Sequence, residues 1–388
     1  MRFVDLQAQQ ERIKGGLLGR LHRVLDHGQY IMGPEVEELE ERLASYVGVG
    51  HAVGCSSGTD ALLMALMAHG VGPGDAVLTT AFTFVATAEV IALLGATPVF
   101  VDIDPCTFNI SADALSLAVE ALREGKPALH PLPLPARGGR RMVPRGIVAV
   151  DLFGLPADYG RIQAVAEAGG LFTIEDGAQS FGAEYRGRRS GSLGRIGCTS
   201  FYPSKPLGCY GDGGMCFTDD EGLALSLRSL RLHGDGGRPY ESVRIGINGR
   251  LDSLQAAVLL AKLEIFEEEL AMRQEVAERY GSLLAGSSGL VTPRVPPGSK
   301  SAWALYSVLA RDEDHRSLLR RRLSEEGIPS AVYYPRPLHL QPAFSHLGYE
   351  EGDFPVSESV SRRILSLPMH PYLRPEEQER IAAVLSAP

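Results

Sequence analysis

The chain has 388 residues, more than the roughly 250–300 at which a single hydrophobic core stops growing, so two domains are expected. Its 44% hydrophobic and 22% charged residues are ordinary for a soluble globular protein, and the formal net charge of −9 argues against a nucleic-acid partner, which needs concentrated lysine and arginine. Five cysteines without a C-x-x-C spacing indicate reduced thiols, and no apolar run reaches signal-peptide or membrane-span length, so we expect a cytoplasmic protein without membrane contact.

The predicted elements begin with a helix over residues 34–47, where Val36, Leu39, Leu43 and Val47 form an apolar stripe. Short apolar runs then alternate with helical stretches. The seven runs are residues 52–55, 76–80, 98–103, 146–152, 171–175, 198–201 and 215–218. Nearly continuous apolar strands with helices between them predict an α/β fold with a mostly parallel seven-stranded sheet that is covered by helices on both faces.

The last third of the chain predicts a second, smaller α/β unit. Its elements are a connecting helical segment from 251 toward 280, a strand at 304–309, a helix at 316–326 and a strand at 330–334. We therefore expect a large domain over residues 1–255, which includes the N-terminal segment, and a small domain over residues 256–388.

Residues 123–145 form an unusual stretch between a predicted helix and a predicted strand. They contain five prolines together with Arg137, Arg140, Arg141 and Arg145. We favour a solvated proline-rich loop, part of which is an insertion. An arm that grips a nucleotide remains the alternative.

Two residues at predicted strand ends carry the strongest chemical indication. Lys205 follows an apolar, β-prone run and precedes a glycine-rich turn, where burial would favour a neutral, nucleophilic amine. Asp176 ends another buried strand. A lysine for a Schiff base and an aspartate for a pyridinium nitrogen are what pyridoxal 5′-phosphate (PLP) requires. The plainer alternatives are a surface lysine beside a flexible loop and an aspartate that caps a helix. No H-E-x-x-H, cysteine quartet or EF-hand loop indicates a metal.

Several segments resemble the DegT/StrS group of PLP-dependent sugar aminotransferases, in the same order and spacing, from about residue 3 to about residue 373. They are residues 33–36, 57–62, 82–87, 175–180 and 200–205. Residues 27–31, 203–214 and 366–372 are similar to the subgroup that aminates a UDP-linked 3-keto-N-acetylglucosaminuronic acid. The resemblance implies PLP fold type I, that of aspartate aminotransferase, and an active homodimer.

The resemblance also assigns cofactor-binding roles. Lys205 and Asp176 are the catalytic pair, Ser200 donates a hydroxyl to the phosphate, Phe84 stacks on the ring and Gln179 lies beside the phenolic oxygen. The phosphate cradle is expected at Ser57, Gly58 and Thr59, because backbone N–H groups at a helix start attract anions and Gly58 permits close approach. Taken alone, Ser57 and Thr59 could be plain helix caps and Phe84 could be core.

The remaining candidates concern the partner subunit and the substrate. By resemblance, Asn248 would bind the phosphate in the neighbouring subunit and Arg250 a substrate carboxylate, although Gly249 departs from the larger residue that is usual there. Tyr333, Tyr334 and His339 resemble the segment near the sugar. The subgroup often carries histidine where Tyr333 stands, so substrate choice is open at this position.

The sequence thus predicts a PLP-dependent aminotransferase that takes an amino group from L-glutamate. The favoured acceptor is C3 of UDP-2-acetamido-2-deoxy-3-oxo-glucuronate, in the synthesis of bacterial surface polysaccharide such as O-antigen. The alternatives are a 4-keto or another 3-keto nucleotide sugar (dTDP- or GDP-linked), a keto-cyclitol, and a regulatory protein that binds without turnover. A β-eliminating PLP enzyme is a further alternative, but it would normally need a reactive cysteine.

Overall fold

The computed structural model describes residues 1–134, 142–238 and 240–386. The helices there are α1 (Leu6–His27), α2 (Pro34–Val47), α3 (Gly58–Ala68), α4 (Ala86–Leu93), α5 (Ala112–Glu124), α6 (Tyr159–Gly169), α7 (Glu221–Leu230), α8 (Ser253–Leu263), α9 (Phe266–Leu283), α10 (Glu313–Glu325), α11 (Pro355–Arg363) and α12 (Pro375–Ser386). Short 3-10 turns lie at Leu152–Gly154, Leu338–Leu340 and Pro342–Leu347. Within these residues, no helix combines the length and apolarity needed to cross a membrane.

Seven strands form the main sheet, as the sequence predicts. They are β1 (His51–Cys55), β2 (Asp75–Thr80), β3 (Thr97–Val101), β4 (Val143–Val150), β5 (Phe172–Asp176), β8 (Ile196–Ser200) and β9 (Gly214–Thr218). Their order across the sheet is β1-β9-β8-β5-β4-β2-β3. Strand β9 runs antiparallel to both of its neighbours, and the other pairings are parallel. The predicted α/β class and the mostly parallel sheet are confirmed.

Alternating side chains of β9 show how the sheet is covered on both faces. Met215 and Phe217 are fully buried in a core that they share with α1, α2 and α8. Cys216 points to the opposite face, into a second core formed with α3 and α7. Since successive side chains of a strand alternate between faces, a strand buried on both sides is apolar along most of its length.

Two short sheets complete the described structure. Strands β6 (Glu184–Tyr185), β7 (Arg188–Arg189) and β11 (Ser299–Lys300) form one, and β10 (Leu290–Val291), β12 (Tyr306–Ala310) and β13 (Ile364–Leu367) form the other. The second sheet packs with α10 and α12 around a separate core that includes Tyr280, Tyr306, Leu319 and Ile381. This is the smaller α/β unit that the sequence predicts.

The predicted strand at 330–334 is wrong. Ala331 makes a single bridge to Ser366, and β12 pairs instead with β13 in an antiparallel ladder. Pro335 and Pro337 follow at once, and proline lacks the N–H group that a strand needs to continue its ladder. The segment at 251–280 is also not one helix, because α8 and α9 are separated at residues 264–265.

The domain boundary at residue 255 stays a prediction. The hydrophobic cores of the two domains favour a boundary later in the chain. Val258, Leu259 and Leu260 of α8 are buried in the large core with α1 and α2, whereas Val276 and Tyr280 of α9 belong to the small one. We propose that the domains meet within α9, because each domain is defined by its own hydrophobic core.

The proline-rich stretch lies partly outside the described residues, since 135–141 are not described. Helix α5 runs through Glu124 and β4 already begins at Val143, so both flanks are regular. His130 is buried with Nε2 2.8 Å from the carbonyl oxygen of Phe100, and Leu132 is 1% exposed. The described part of the stretch is therefore anchored to the large domain. The expectation of a loop that is solvated throughout is wrong for these residues.

Candidate active site

The carboxyl edge of the sheet brings the predicted residues together. Strand β5 ends at Asp176 and its parallel neighbour β8 ends at Ser200. Strand β1 runs the same way, because β9 is antiparallel to both β1 and β8, so Ser57 lies at the same edge. Ligands of parallel sheets bind in the crevice outside the carboxyl ends of the strands. A cavity of about 570 Å³ lies here.

Most of the residues singled out in the sequence line this cavity. They are Ser57, Gly58, Thr59, Phe84, Asp176, Gln179, Ser200, Lys205, Tyr333 and Tyr334. The first eight come from the large domain, whereas the two tyrosines lie in the segment before Pro335. The cavity therefore lies between the sheet edge and the C-terminal part of the chain.

Lys205 has the electrostatic environment that a nucleophilic amine requires. Desolvation lowers its pKa to about 8, although the negative charge of Asp176 acts in the opposite direction. At pH 7 about one amine in ten would then be neutral, compared with fewer than about one in a thousand for a lysine in water. The surface-lysine alternative does not fit this environment.

Asp176 is 5% exposed and hydrogen-bonded on both carboxyl oxygens. Oδ2 accepts from the Thr87 hydroxyl at 2.7 Å, and Oδ1 accepts from the Ala178 N–H at 3.2 Å. Burial raises the pKa of Asp176, while these two donors and the charge of Lys205 act against that shift. A cation placed against this carboxylate would offset its desolvation further. Thr87 was missed in the sequence, although it lies within segment 82–87.

The start of α3 forms a tight turn against the end of β8. Ser57 is the N-cap and its Oγ accepts from the Asp60 N–H at 3.0 Å. A Cβ on Gly58 would lie 2.6 Å from the Cβ of Ser200, which is closer than side-chain atoms approach. Only glycine therefore lets the free N–H groups of this helix start lie beside the Ser200 hydroxyl, where a phosphate would be bound.

Aromatic rings form the wall opposite the sheet edge. Phe84 is 54% exposed, and its ring centroid lies 6.2 Å from that of Tyr334. Tyr334 accepts a hydrogen bond from Gln179 Nε2 at 3.2 Å, and Gln179 Oε1 accepts from the Phe153 N–H at 2.8 Å. Phe84 is thus free to stack on a ring, while Gln179 also holds Tyr334 in place.

Three predicted site residues lie elsewhere. His339 is 2% exposed, and its Nε2 lies 3.0 Å from Glu358 Oε1, which explains its burial without a ligand. Asn248 is exposed and Arg250 is half-buried, and neither lines the cavity of its own chain. Conversely, the cavity includes Phe3 and Asp212, which the sequence did not single out.

A chain of buried polar groups lies behind Asp176 and carries an extra proton. Ser180 Oγ lies 2.9 Å from Asp151 Oδ2 and 2.6 Å from Ser190 Oγ, which is 2.7 Å from Glu175 Oε1. Three contacts need three protons, and the two hydroxyls supply two. One carboxyl group must therefore be protonated.

The donors around each carboxyl group identify the protonated one. Glu175 Oε1 also accepts from the Gly191 N–H at 2.6 Å and Oε2 from the Leu193 N–H at 2.8 Å, so a proton on either oxygen would face an N–H donor. Asp151 likewise accepts from the Ala157 N–H and the Tyr159 hydroxyl, both at 2.9 Å, but both bonds are on Oδ1, so Oδ2, which faces Ser180, can carry the proton. Burial and the nearby Glu175 charge raise the pKa of Asp151 well above its usual range, and burial also raises that of Glu175. We assign the proton to Asp151, which donates toward Ser180.

The residues fit the cofactor expected from the sequence. The depressed pKa of Lys205 suits a bond to an aldehyde, and the buried Asp176 suits a protonated ring nitrogen. The turn at Gly58 beside Ser200 would hold the phosphate, and Phe84 would cover one face of the ring.

Comparison with known proteins gives consistent matches. The model of the DegT/DnrJ/EryC1/StrS aminotransferase family matches residues 12–386. A UDP-2-acetamido-2-deoxy-3-oxo-D-glucuronate aminotransferase from Pseudomonas aeruginosa is 47% identical over 384 residues, which span 99% of each chain. A solved DegT DnrJ EryC1 StrS aminotransferase from Brucella abortus has 49% identity and a TM-score of 0.92 over 99% of this chain and 98% of its own. NtdA from Bacillus subtilis, solved with bound cofactor PMP, has 27% identity and a TM-score of 0.84 over 99% and 82%.

Lys205 should titrate near pH 8 in cofactor-free protein. Because only the neutral amine reacts, its trace acetylation should rise about tenfold per pH unit below pH 8 and level off above. The acetylation of Lys126, whose pKa the Glu124 carboxylate raises, should still increase with pH over this range. Asp176→Asn should lower the midpoint for Lys205, because the Asp176 charge raises it. Peptide mass spectrometry measures all three, and a Lys205 reactivity that still rises at about pH 10 would contradict the assignment.

Asp151→Asn and Glu175→Gln should lower the free energy of unfolding by different amounts. The amide group that Asp151→Asn introduces can donate to Ser180 as the protonated acid does, so we expect a loss below about 1 kcal/mol in the free energy of unfolding. The amide of the Glu175→Gln variant would face an N–H donor in either orientation, with a loss of about 2–3 kcal/mol. Urea unfolding at pH 7 measures both losses, and equal or reversed losses would contradict the assignment of the proton to Asp151.

Proposed function

Because this chain belongs to the DegT/DnrJ/EryC1/StrS aminotransferase family, we propose that it aminates C3 of UDP-2-acetamido-2-deoxy-3-oxo-glucuronate with L-glutamate as donor, in the synthesis of bacterial surface polysaccharide. The protein is a PLP-dependent sugar aminotransferase. The observation that supports this acceptor sugar is the 47% identity to the P. aeruginosa enzyme over 99% of both chains. When bound, PLP would supply the aldehyde and the electron-accepting ring through which an amino group is transferred from the donor to the keto carbon.

The chain's own groups supply the proton transfers. Nζ of Lys205 can hold or release a proton near neutral pH, since its pKa is about 8, so it can take a proton from the donor carbon and return one to the sugar carbon. The Asp176 carboxyl group, which the Thr87 hydroxyl and the Ala178 N–H fix in orientation, would hold the protonated ring nitrogen of the cofactor. Both groups serve both halves of the reaction.

The charge of the proposed substrate supports a shared active site. A UDP-linked uronate carries a diphosphate and a carboxylate, yet Lys205 is the one cationic side chain among the described residues that line the cavity. Asp176 and Asp212 add negative charge there. We therefore propose that a second copy of the chain supplies Arg250, whose guanidinium suits an anion.

The surface before Arg250 favours such a dimer. Tyr240 is fully exposed, and Val243 and Ile245 are 57% and 87% exposed. Exposed apolar side chains that cluster in one segment are typical of a protein interface. In the proposed homodimer this segment contacts the partner and carries Asn248 and Arg250 toward the neighbouring cavity.

Running the sugar half-reaction backward tests the proposal. UDP-2-acetamido-3-amino-2,3-dideoxy-glucuronate is added to the PLP-loaded protein, and we expect conversion of the cofactor to pyridoxamine phosphate, followed by absorbance. Lys205→Ala should abolish conversion, because it removes the amine that moves the proton. Lys126→Ala, at an exposed site, is the matched control and should convert as the wild type does.

The other outcomes separate the alternatives. If glutamate converts the cofactor and this amino sugar does not, the aminotransferase remains and the uronate is wrong; UDP- and dTDP-linked 3- and 4-amino sugars then identify the acceptor. If no amine converts the cofactor, the protein binds without turnover.

Mixing two inactive variants tests the shared site. Lys205→Ala and Arg250→Ala should each be inactive alone, but a mixed dimer would contain one intact site. After subunit exchange we expect about a quarter of wild-type activity, because half of the dimers are mixed and each has one working site of two. Native mass spectrometry confirms the exchange. Mixed dimers without activity would show that Arg250 acts within its own chain.

A further inference from the structure

A short N-terminal segment, residues 2–5, forms part of the cavity wall. Phe3 and Val4 line the cavity together with Tyr333, although they lie far from it in sequence. Both side chains are half-buried, so part of each faces the cavity. None of the cofactor-binding roles described above involves this segment.

A row of aromatic rings connects this segment to the cofactor end of the cavity. The ring centroids of Phe3 and Tyr333 are 6.4 Å apart, those of Tyr333 and Tyr334 are 5.8 Å apart, and those of Tyr334 and Phe84 are 6.2 Å apart. Each contact lies within the range of favourable aromatic pairs. Phe3 is therefore at the opposite end of this row from Phe84.

The segment is held in place from two sides. The Phe3 carbonyl accepts from the Met369 N–H at 3.2 Å, which ties the segment to the chain just after β13 in the small domain. Arg2 Nη1 donates to Asp5 Oδ1 at 2.8 Å, and the same oxygen caps α1 by accepting from the Ala8 N–H at 3.1 Å. Phe3 is thus fixed by both domains, as a residue that shapes a binding surface must be.

We propose that Phe3 is a specificity-determining residue that contacts the nucleotide sugar and not the amino donor. The inference rests on the proposed function only for the class of substrate. An amino acid is small enough to react beside Phe84 and Lys205 without reaching the outer wall. A sugar with an attached nucleotide extends away from the reacting carbon, and its pyranose or base can pack against the exposed part of the Phe3 ring.

Separate measurement of the two half-reactions in the holoenzyme tests this inference. For Phe3→Ala we expect the amino-sugar concentration at half-maximal rate to rise about tenfold or more, since removing one stacking ring commonly has an effect of that size. The glutamate half-reaction should change by less than about twofold, because glutamate does not reach Phe3. Phe3→Tyr, which keeps the ring, should restore sugar binding to near the wild-type value.

Two results would overturn the inference. Equal losses in both half-reactions, or a lowered melting temperature or cofactor content that accounts for the loss, would show that Phe3 only stabilises the fold. No change in either half-reaction would show that the sugar does not touch it. Phe3→Leu, which keeps the apolar bulk without the ring, should lie between alanine and tyrosine.

The choice of sugars separates this inference from the proposed function. The wild type and Phe3→Ala are compared on the UDP-linked 3-amino-uronate, its 6-hydroxymethyl counterpart and a dTDP-linked 3-amino sugar. If the wild type uses the 6-hydroxymethyl sugar or the dTDP-linked sugar instead of the uronate, the proposed acceptor is wrong. The role of Phe3 is then tested by comparing the wild type and Phe3→Ala on the sugar that reacts. If the uronate reacts equally well in both proteins, the function stands and the role of Phe3 is wrong. If none reacts, both are wrong.

Discussion

The site depends on the joint burial of Lys205 and Asp176 at the carboxyl edge of the sheet. Burial disfavours the charged form of each group, which lowers the pKa of the amine to about 8 and raises that of the acid. Each charge partly offsets the desolvation of the other. The balance leaves an amine that can react and an acid that can still pair with a cation, which is the combination that amino-group transfer requires.

Backbone geometry and a buried proton fix this edge. Glycine at position 58 allows α3 to start against Ser200, and a Cβ on Gly214 would lie 2.3 Å from the Ser57 carbonyl oxygen, so β9 requires glycine as well. Behind Asp176, the protonated Asp151 and the ionised Glu175 hold the following turn through two serines. Buried networks in which every donor has an acceptor are rigid, so the catalytic pair rests on a fixed support.

The sequence predicts what is local and misses what depends on packing. The strands and their terminal residues Asp176 and Ser200 follow from short apolar runs, and the parallel sheet then brings those ends together. His339 does not line the cavity of its own chain, because it is buried against Glu358, which lies 19 residues further on in a helix whose packing the sequence does not reveal. Phe3 was missed because its place in the wall depends on Met369, at the other end of the chain.

The cavity is divided in a way that suits an enzyme with two unlike substrates. Its inner part, around Lys205 and Asp176, comes from the large domain and must serve the small donor and the large acceptor alike. Its outer part is built from Phe3 and Tyr333, whose rings contact each other and begin the row that ends at Phe84. Changes in the outer part can alter acceptor choice without disturbing proton transfer, since the two parts share no catalytic group.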